Sequence, residues 1–171
     1  VAGGGAAAAG DKPPLLGVYA THLHHQNATT APGGIRESEA MALLRHWRRE
    51  AAPGARCGVL ATDFNQARRG DYALQDWQVI ARGLEKVRQP EDDGVADLLR
   101  SVGWRCAFDE PSALRNWEGS GAPALTHWTG TVVDYPYVVD HGGRATVLGV
   151  YLLYSPISDH LPVVTDVRVT L

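Results

Sequence analysis

The sequence contains few of the residues that would hold a fold together through disulfides or a structural zinc ion. It has 171 residues and only two cysteines, Cys57 and Cys106, each beside an apolar run. No Cys-x-x-Cys pair and no His-x-x-x-His pair occurs, so the spacing typical of a zinc site is absent. We therefore expect both thiols to be small, buried hydrophobic groups.

Long apolar segments and a strong charge of one sign are also missing. No apolar run approaches the roughly 18 residues that a membrane-spanning helix needs, so no transmembrane segment is predicted. The formal net charge is −3, which excludes polyanion binding by bulk charge and leaves a local basic patch open. Residues 1–14 lack the basic start and bulky apolar centre of a signal peptide. No pattern predicts an oligomer, and the cellular location stays open.

The length is sufficient for one domain with a hydrophobic core. Residues 1–14 are rich in Gly and Ala, which predicts a flexible segment, and the domain then occupies 15–171. Apolar runs predict strands at 15–23, 57–62, 104–108, 131–139, 147–154 and 161–169. Helical spacing of apolar residues predicts helices at 36–51 and 71–84 and a shorter one opening at 92–93. This alternation, followed by a run of strands, indicates an α/β layered domain.

Large apolar residues mark the side of the first predicted helix that faces the core. Residues at or near multiples of three along it form this face, namely Ile35, Met41, Leu44 and Trp47. The arginines on the opposite side are typical of a solvated helix face. Three further tryptophans could line a substrate surface, but core packing is the expected role of Trp104, Trp117 and Trp128.

Four strands end in, or are interrupted by, polar residues that could perform chemistry. The four stretches are Thr21-His22-Leu23, Asp63-Phe64-Asn65, Asp134-Tyr135 and Ser158-Asp159-His160-Leu161-Pro162. In the last stretch the proline directs the preceding residue away from the helical region, so Asp159 and His160 are expected at the start of a strand. In open α/β sheets, ligands bind beyond the carboxyl ends of strands.

Each of these polar residues also has an ordinary structural explanation. His22 could be a half-buried histidine with satisfied hydrogen bonds. Asp63 could cap a turn, and Asn65 could hold a left-handed turn position. Asp134 is harder to explain in this way, because an unpaired carboxylate in an apolar strand is costly and needs a partner. A histidine would supply that partner and have its tautomer fixed in return.

Together, these side chains form a coherent chemical set. They include a histidine, a carboxylate to orient it, and carboxylate and amide oxygens of the kind that hard cations prefer. Metal-assisted attack of water on a phosphate ester requires this combination.

The four motifs, in this order and at this spacing, resemble the successive motifs of the endonuclease/exonuclease/phosphatase superfamily. That superfamily includes deoxyribonucleases, apurinic endonucleases and sphingomyelinases, and the match extends from residue 15 onward. The resemblance implies a two-sheet α/β sandwich and a hydrolase that depends on Mg²⁺ or Mn²⁺. The implied substrate is a phosphodiester or phosphomonoester, with nucleic acid and phospholipid both open.

The resemblance also implies a role for each matching residue. His160 resembles the general base that activates water, Asp134 the carboxylate that orients it, and Asp159 a ligand of the divalent metal. Asp63 and Asn65 resemble the pair that positions water, metal and the scissile phosphate. One further residue, His22, resembles the histidine that donates to a phosphate oxygen, so both it and the asparagine are expected to bind substrate.

Two residues depart from the superfamily's usual pattern within these motifs. Thr62 stands where a glycine is usual, and a β-branched residue would be strained there if the position needs a positive φ. Pro136 stands where an apolar residue is usual. Because proline cannot donate a ladder hydrogen bond, we expect an edge strand or a bulge there.

The largest departure is an absence near the start of the chain. The superfamily has a metal-binding Glu and an Asn well before the motif that contains His22, and here the 21 preceding residues include neither. The chain thus resembles the C-terminal two-thirds of such a domain, which predicts exposed apolar strand edges. An alternative function follows: a non-catalytic remnant that binds a partner through the exposed half-sheet.

Overall fold

A computed structural model describes residues 16–24, 34–51, 54–55, 57–91, 94–119 and 121–170. The predicted flexible segment, residues 1–14, lies outside the described residues. The described residues form a mixed α/β fold with one four-stranded and one three-stranded sheet. The predicted α/β, two-sheet fold class is therefore confirmed.

The four-stranded sheet has the order β1-β2-β5-β3. Its strands are β1 (Leu16–His22), β2 (Cys57–Asp63), β3 (Trp104–Cys106) and β5 (Asp134–Asp140). Strands β1 and β2 are parallel, and β5 is antiparallel to both β2 and β3. As a result, the carboxyl ends of β1 and β2 meet the start of β5 at one rim of the sheet.

The three-stranded sheet has the order β4-β6-β7. Its strands are β4 (Leu114–Arg115), β6 (Ala145–Leu152) and β7 (Val163–Val169), with β4 parallel and β7 antiparallel to β6. Strand β7 alternates between half-buried and exposed residues, with its valines at 163, 167 and 169 on the half-buried face.

Among the described residues, three α-helices accompany the sheets: α1 (Gly34–His46), α2 (Leu74–Lys86) and α3 (Val95–Ser101). Helix α1 continues into a π-helical turn, Trp47–Ala51. Helix α3 ends at Ser101, and Gly103 lies just beyond its cap at a φ of 89°. Within the part of the chain that the structure describes, no helix is both long and apolar enough to cross a bilayer.

Aromatic side chains make up much of the core. Trp104 is 1 % exposed and meets Trp47 edge to face at 5.4 Å between ring centroids. Trp117 packs on the core against Phe108 at 5.8 Å. Both cysteines are buried free thiols, as predicted. The expectation of core packing was wrong for Trp128, which is 73 % exposed.

Several predicted boundaries and faces differ from the structure. Helix α2 begins three residues later than predicted, because 69–71 form a 3₁₀ turn in which Asp71 binds Arg68. On α1, Met41 was predicted to face the core but is 42 % exposed, whereas Arg36 is fully buried. The guanidinium of this arginine donates to Gln66 Oε1 at 2.6 Å and to Gln89 Oε1 at 3.1 Å, which satisfies a cation at full burial.

The two departures from the superfamily's pattern cause no strain in the structure. Thr62 lies within β2 and is not one of the described non-glycine residues with positive φ, which are Asn65 and Arg88. The edge or bulge expected at Pro136 is not found, because β5 lies between β2 and β3. However, the pairing of β5 with β3 stops at Tyr137. Pro136 therefore has no β3 residue opposite it, and its missing N–H leaves no hydrogen bond to β3 unmade.

The exposed apolar edges expected for a partial domain are also visible. Strand β1 is the outermost described strand of its sheet, and Val18 on it is 68 % exposed. Strand β7 is outermost in the other sheet, and Val164 is 37 % exposed.

Replacing two glycines by alanine should change stability in opposite directions. A Cβ at Gly58 would lie 2.9 Å from the Trp47 ring and 3.0 Å from the Trp104 ring, so we expect Gly58→Ala to destabilise the fold by about 1–3 kcal/mol. In α2, a Cβ at Gly83 meets no described atom within 4 Å, so Gly83→Ala should stabilise by about 0.5–1 kcal/mol. Urea unfolding of both variants checks this, and equal effects would contradict the tight packing at β2.

Candidate active site

The register of the four-stranded sheet brings three of the predicted site residues into one row. His22 is paired with Asp63 across β1 and β2, and Asp63 is paired with Asp134 across β2 and β5. Residues directly opposite each other on adjacent strands project from the same face. His22 Nε2 accordingly lies 3.5 Å from Asp63 Oδ2, with 71 % of the histidine side chain exposed.

The fourth motif reaches this row from the other sheet. His160 precedes β7, and its Nδ1 lies 3.1 and 2.9 Å from the two carboxylate oxygens of Asp134. Because a carboxylate accepts, Nδ1–H donates in the neutral ring, and Nε2 is left with a free lone pair. Nε2 lies 3.9 Å from Asp63 Oδ2. The partner expected for Asp134 is therefore this histidine, although Asp134 begins β5 rather than occupying the middle of a strand.

The Asp63-Phe64-Asn65 stretch forms a tight turn at the end of β2. The backbone N–H of Asn65 donates to Asp63 Oδ1 at 2.8 Å, and the asparagine has a φ of 52°. Asn65 Nδ2 also donates to the Leu23 carbonyl at 2.8 Å, which ties the turn to the end of β1. Both structural explanations offered for these residues therefore hold, and the same turn fixes the Asp63 carboxylate, which lies 3.9 Å from His160 Nε2.

Charges at the site shift the pKa values of two groups. Burial would lower the pKa of His160, but the hydrogen bond and charge of Asp134, with the charges of Asp63 and Asp159, raise it above its ordinary value. The pKa of the Asp63 carboxyl is raised, first by burial and also by the nearby charge of Asp134. An anionic site of this kind favours a cation.

Asp159 points away from the pair formed by Asp63 and Asp134. Its side chain is 64 % exposed, and Oδ2 lies 3.6 Å from His127 Nε2. Among the described residues, possible metal-ligand atoms fall into two groups that share His160. One group is Asp63, Asp134 and His160, and the other is His127, Asp159 and His160.

Sequence reasoning missed the loop that supports the site from behind. Thr126 Oγ1 accepts hydrogen bonds from the backbone of Val133 at 3.0 Å and Asp134 at 3.1 Å, which sets the start of β5. His127 forms a β-bridge with His160, and their ring centroids are 4.6 Å apart. These two histidines are 33 positions apart in sequence, and no local spacing signal connects them.

A second network beside the site was also missed. Tyr135 follows Asp134, and its hydroxyl donates to Asp71 Oδ2 at 2.8 Å. The guanidinium of Arg68 lies over the tyrosine ring, 4.8 Å from its centroid. Burial raises the pKa of the Tyr135 hydroxyl well above its ordinary value, so it remains a hydrogen-bond donor.

The fold has counterparts among solved structures. One is an endonuclease/exonuclease/phosphatase from Bacteroides vulgatus, with 15 % identity, a TM-score of 0.55, and coverage of 89 % of this chain and 50 % of that chain. Another is the human Nocturnin catalytic domain with bound sulfate anion, with 22 % identity, a TM-score of 0.53, and coverage of 88 % and 46 %. No protein-family model and no curated protein matches the sequence. The chain therefore has the fold of that superfamily and spans about half the length of each structure.

Proposed function

We propose that this chain, which has the endonuclease/exonuclease/phosphatase fold, contains the general base and part of the active site of a Mg²⁺-dependent phosphoesterase. The reaction is hydrolysis of a phosphodiester or phosphomonoester by water. The observation that most supports this proposal is the His160–Asp134 contact at 2.9 Å, which leaves Nε2 free beside Asp63.

His160 acts as the base that activates water. A water molecule between Nε2 and the substrate transfers a proton to Nε2 while its oxygen forms a bond to phosphorus. Asp134 stabilises the resulting imidazolium and keeps the ring oriented through Nδ1–H. The bond between phosphorus and the ester oxygen then breaks, and the leaving oxygen takes up a proton from solvent. The products are a phosphate monoester or inorganic phosphate and an alcohol.

Two residues at the rim are suited to hold the phosphate. The exposed His22 can donate to a non-bridging oxygen when protonated or in the appropriate tautomer. Asn65 lies on the turn that Asp63 holds, and its amide can supply a second neutral contact. Asp63, 3.5 Å from His22 and 3.9 Å from His160, can orient both rings and the attacking water.

The donor chemistry of the site fits a hard divalent cation. One carboxylate oxygen from Asp63 and one from Asp134 lie within 4.8 Å of each other, and Mg²⁺ prefers such oxygen ligands. Asp63 and Asp134 are the residues of this chain that we propose would hold the ion, whereas Asp159, which the sequence led us to expect as the ligand, lies beside His127 in the other group. Bound Mg²⁺, or Mn²⁺ in its place, would neutralise charge on the phosphoryl oxygens.

The test is phosphoester hydrolysis by the longest natural polypeptide that contains this sequence. We expect hydrolysis of bis(p-nitrophenyl) phosphate or p-nitrophenyl phosphate with Mg²⁺, and loss of at least about tenfold in rate with EDTA. A single-stranded oligonucleotide and phospholipid vesicles, followed by product analysis, then separate the two substrate classes. Hydrolysis of none of the four would contradict the proposal and favour a binding module.

A further inference from the structure

We propose that His127, Asp159 and His160 form a second metal site, one that binds a divalent transition-metal ion such as Zn²⁺. A ligand atom from each of the three side chains lies within 4.8 Å of the other two. His127 Nε2 and Asp159 Oδ2 are 3.6 Å apart. Donors around a tetrahedral ion are roughly 3.3–3.6 Å apart when its bonds are about 2.0–2.2 Å, so the His127–Asp159 pair already has this separation and the His160 donor must approach by no more than about 1.5 Å.

The donor types distinguish this site from the oxygen-rich pair formed by Asp63 and Asp134. Two imidazoles and one carboxylate suit Zn²⁺, Co²⁺, Ni²⁺ and Cu²⁺, whereas Mg²⁺ favours oxygen ligands and retains its water. The local sequence predicted no zinc site, because the histidines are distant in sequence. The β-bridge between His127 and His160 brings them together.

The groups behind the two rings already hold them as metal ligands are usually held. His160 Nδ1 is bound by the Asp134 carboxylate at 2.9 Å. His127 Nδ1 lies 2.7 Å from Thr129 Oγ1, which lies 3.1 Å from Thr131 Oγ1. The backbone N–H of Thr129 also points at Nδ1, at 3.4 Å, so metal binding at Nε2 requires the tautomer in which Nδ1–H donates into this hydroxyl pair. Such outer partners orient a histidine and fix its tautomer.

The backbone on both sides of the cluster is tied together, and solvent can reach it. Trp128 N–H donates to the Asp159 carbonyl at 2.9 Å, and Leu161 N–H donates to the Thr126 carbonyl at 2.7 Å. The His127 and His160 side chains are 19 % and 31 % exposed. An ion can therefore enter a site whose ligands are largely in position.

Because His160 belongs to both groups, the second site would control the first. An ion bound to Nε2 of His160 occupies the lone pair that accepts the proton of water, so hydrolysis stops while the ion is bound. This consequence rests on the proposed function. The binding of the ion does not.

The binding test uses Co²⁺ as a visible probe with the 171-residue chain in excess Mg²⁺. We expect visible absorption bands of low-coordinate Co²⁺ that Zn²⁺ abolishes, and an affinity at least about tenfold weaker in His127→Gln. His141→Gln is the matched control, because this exposed histidine lies outside the cluster and should leave the affinity unchanged. Asp159→Asn, at an exposed position, is a second variant expected to weaken binding if His127→Gln does not fold.

Equal Co²⁺ affinity in the wild type and in a folded His127→Gln or Asp159→Asn variant would overturn the site, as would the absence of Co²⁺ binding in excess Mg²⁺. The inhibition test then measures hydrolysis against Zn²⁺ concentration, each variant relative to its own rate without Zn²⁺. The half-inhibiting concentration should rise at least about tenfold in His127→Gln. Co²⁺ binding with no inhibition by Zn²⁺ would leave the site standing and overturn the role of His160 as base.

Discussion

Replacing His160 with alanine is expected to lower the rate of phosphoester hydrolysis by about 10²–10⁴-fold, which is the usual contribution of a positioned general base. The reason is geometric, because no other described imidazole combines a carboxylate at Nδ1 with a free Nε2 beside Asp63. The loss should fall mainly on kcat, since we propose that His22 and Asn65, rather than His160, hold the phosphate. Initial rates over a range of substrate concentrations separate kcat from KM.

A matched control variant separates the specific loss of His160 as the base from the general effect of replacing a histidine by alanine. His141→Ala removes an exposed imidazole that stacks on Trp47 and lies outside the site, so its rate should stay within about threefold of the wild type. Circular dichroism should show that both variants are folded. If His160→Ala and the wild type hydrolyse at equal rates, the assignment of the base is wrong.

The second large effect concerns stability rather than chemistry. Arg68→Met is expected to destabilise the fold by about 3–5 kcal/mol, because it leaves the buried Asp71 carboxylate without its cation. In the structure, Arg68 donates to both oxygens of Asp71 at 3.0 and 2.6 Å, with the two side chains 10 % and 6 % exposed. Asp109 accepts two more bonds at 3.0 Å. Burial alone would lower the pKa of the guanidinium, but the bonds to Asp71 and Asp109 raise it above its usual range.

Arg100→Met is the control for this prediction. Arg100 pairs with Asp97 at the same i, i+3 spacing as Arg68 and Asp71, but the two side chains are 65 % and 72 % exposed. An exposed pair of this kind contributes about 0–1 kcal/mol. Urea midpoints with unchanged m values give both numbers. Similar losses in the two variants would show that burial does not set the cost, and adding Asp71→Asn to Arg68→Met should recover part of the stability.

Local chemistry predicted the strand ends and the need of Asp134 for a histidine partner, whereas the choice of His160 as that partner came from the superfamily resemblance. A carboxylate at the end of an apolar strand is partly buried, so it needs a hydrogen-bonding or charged partner. Parallel strands place their carboxyl ends on the same rim of the sheet. The left-handed position of Asn65 could also be predicted, because asparagine tolerates a positive φ. These features depend on local chemistry and alternation, which a single sequence contains.

The remaining features depend on contacts between distant segments. His127 joins the site only through its β-bridge to His160, and its neighbours in sequence have no strand pattern. The burial of Arg36 was not predicted, because arginine is rarely buried without partners. Its hydrogen-bond acceptors, Gln66 and Gln89, are 30 and 53 positions away in sequence. Asp71 was predicted to begin a helix, and only the fold shows that its carboxylate binds Arg68 and the Tyr135 hydroxyl.

The pairing of His22 with Asp63 and of Asp63 with Asp134 limits how natural variants of this chain can differ in length. Deleting one residue within β2 would turn Asp63 to the opposite face of the sheet, because side chains alternate along a strand. The row would then lose its middle member even if every strand still formed. Insertions and deletions compatible with activity should therefore be confined to the connecting segments, whereas β1, β2 and β5 keep a constant number of residues up to the rim.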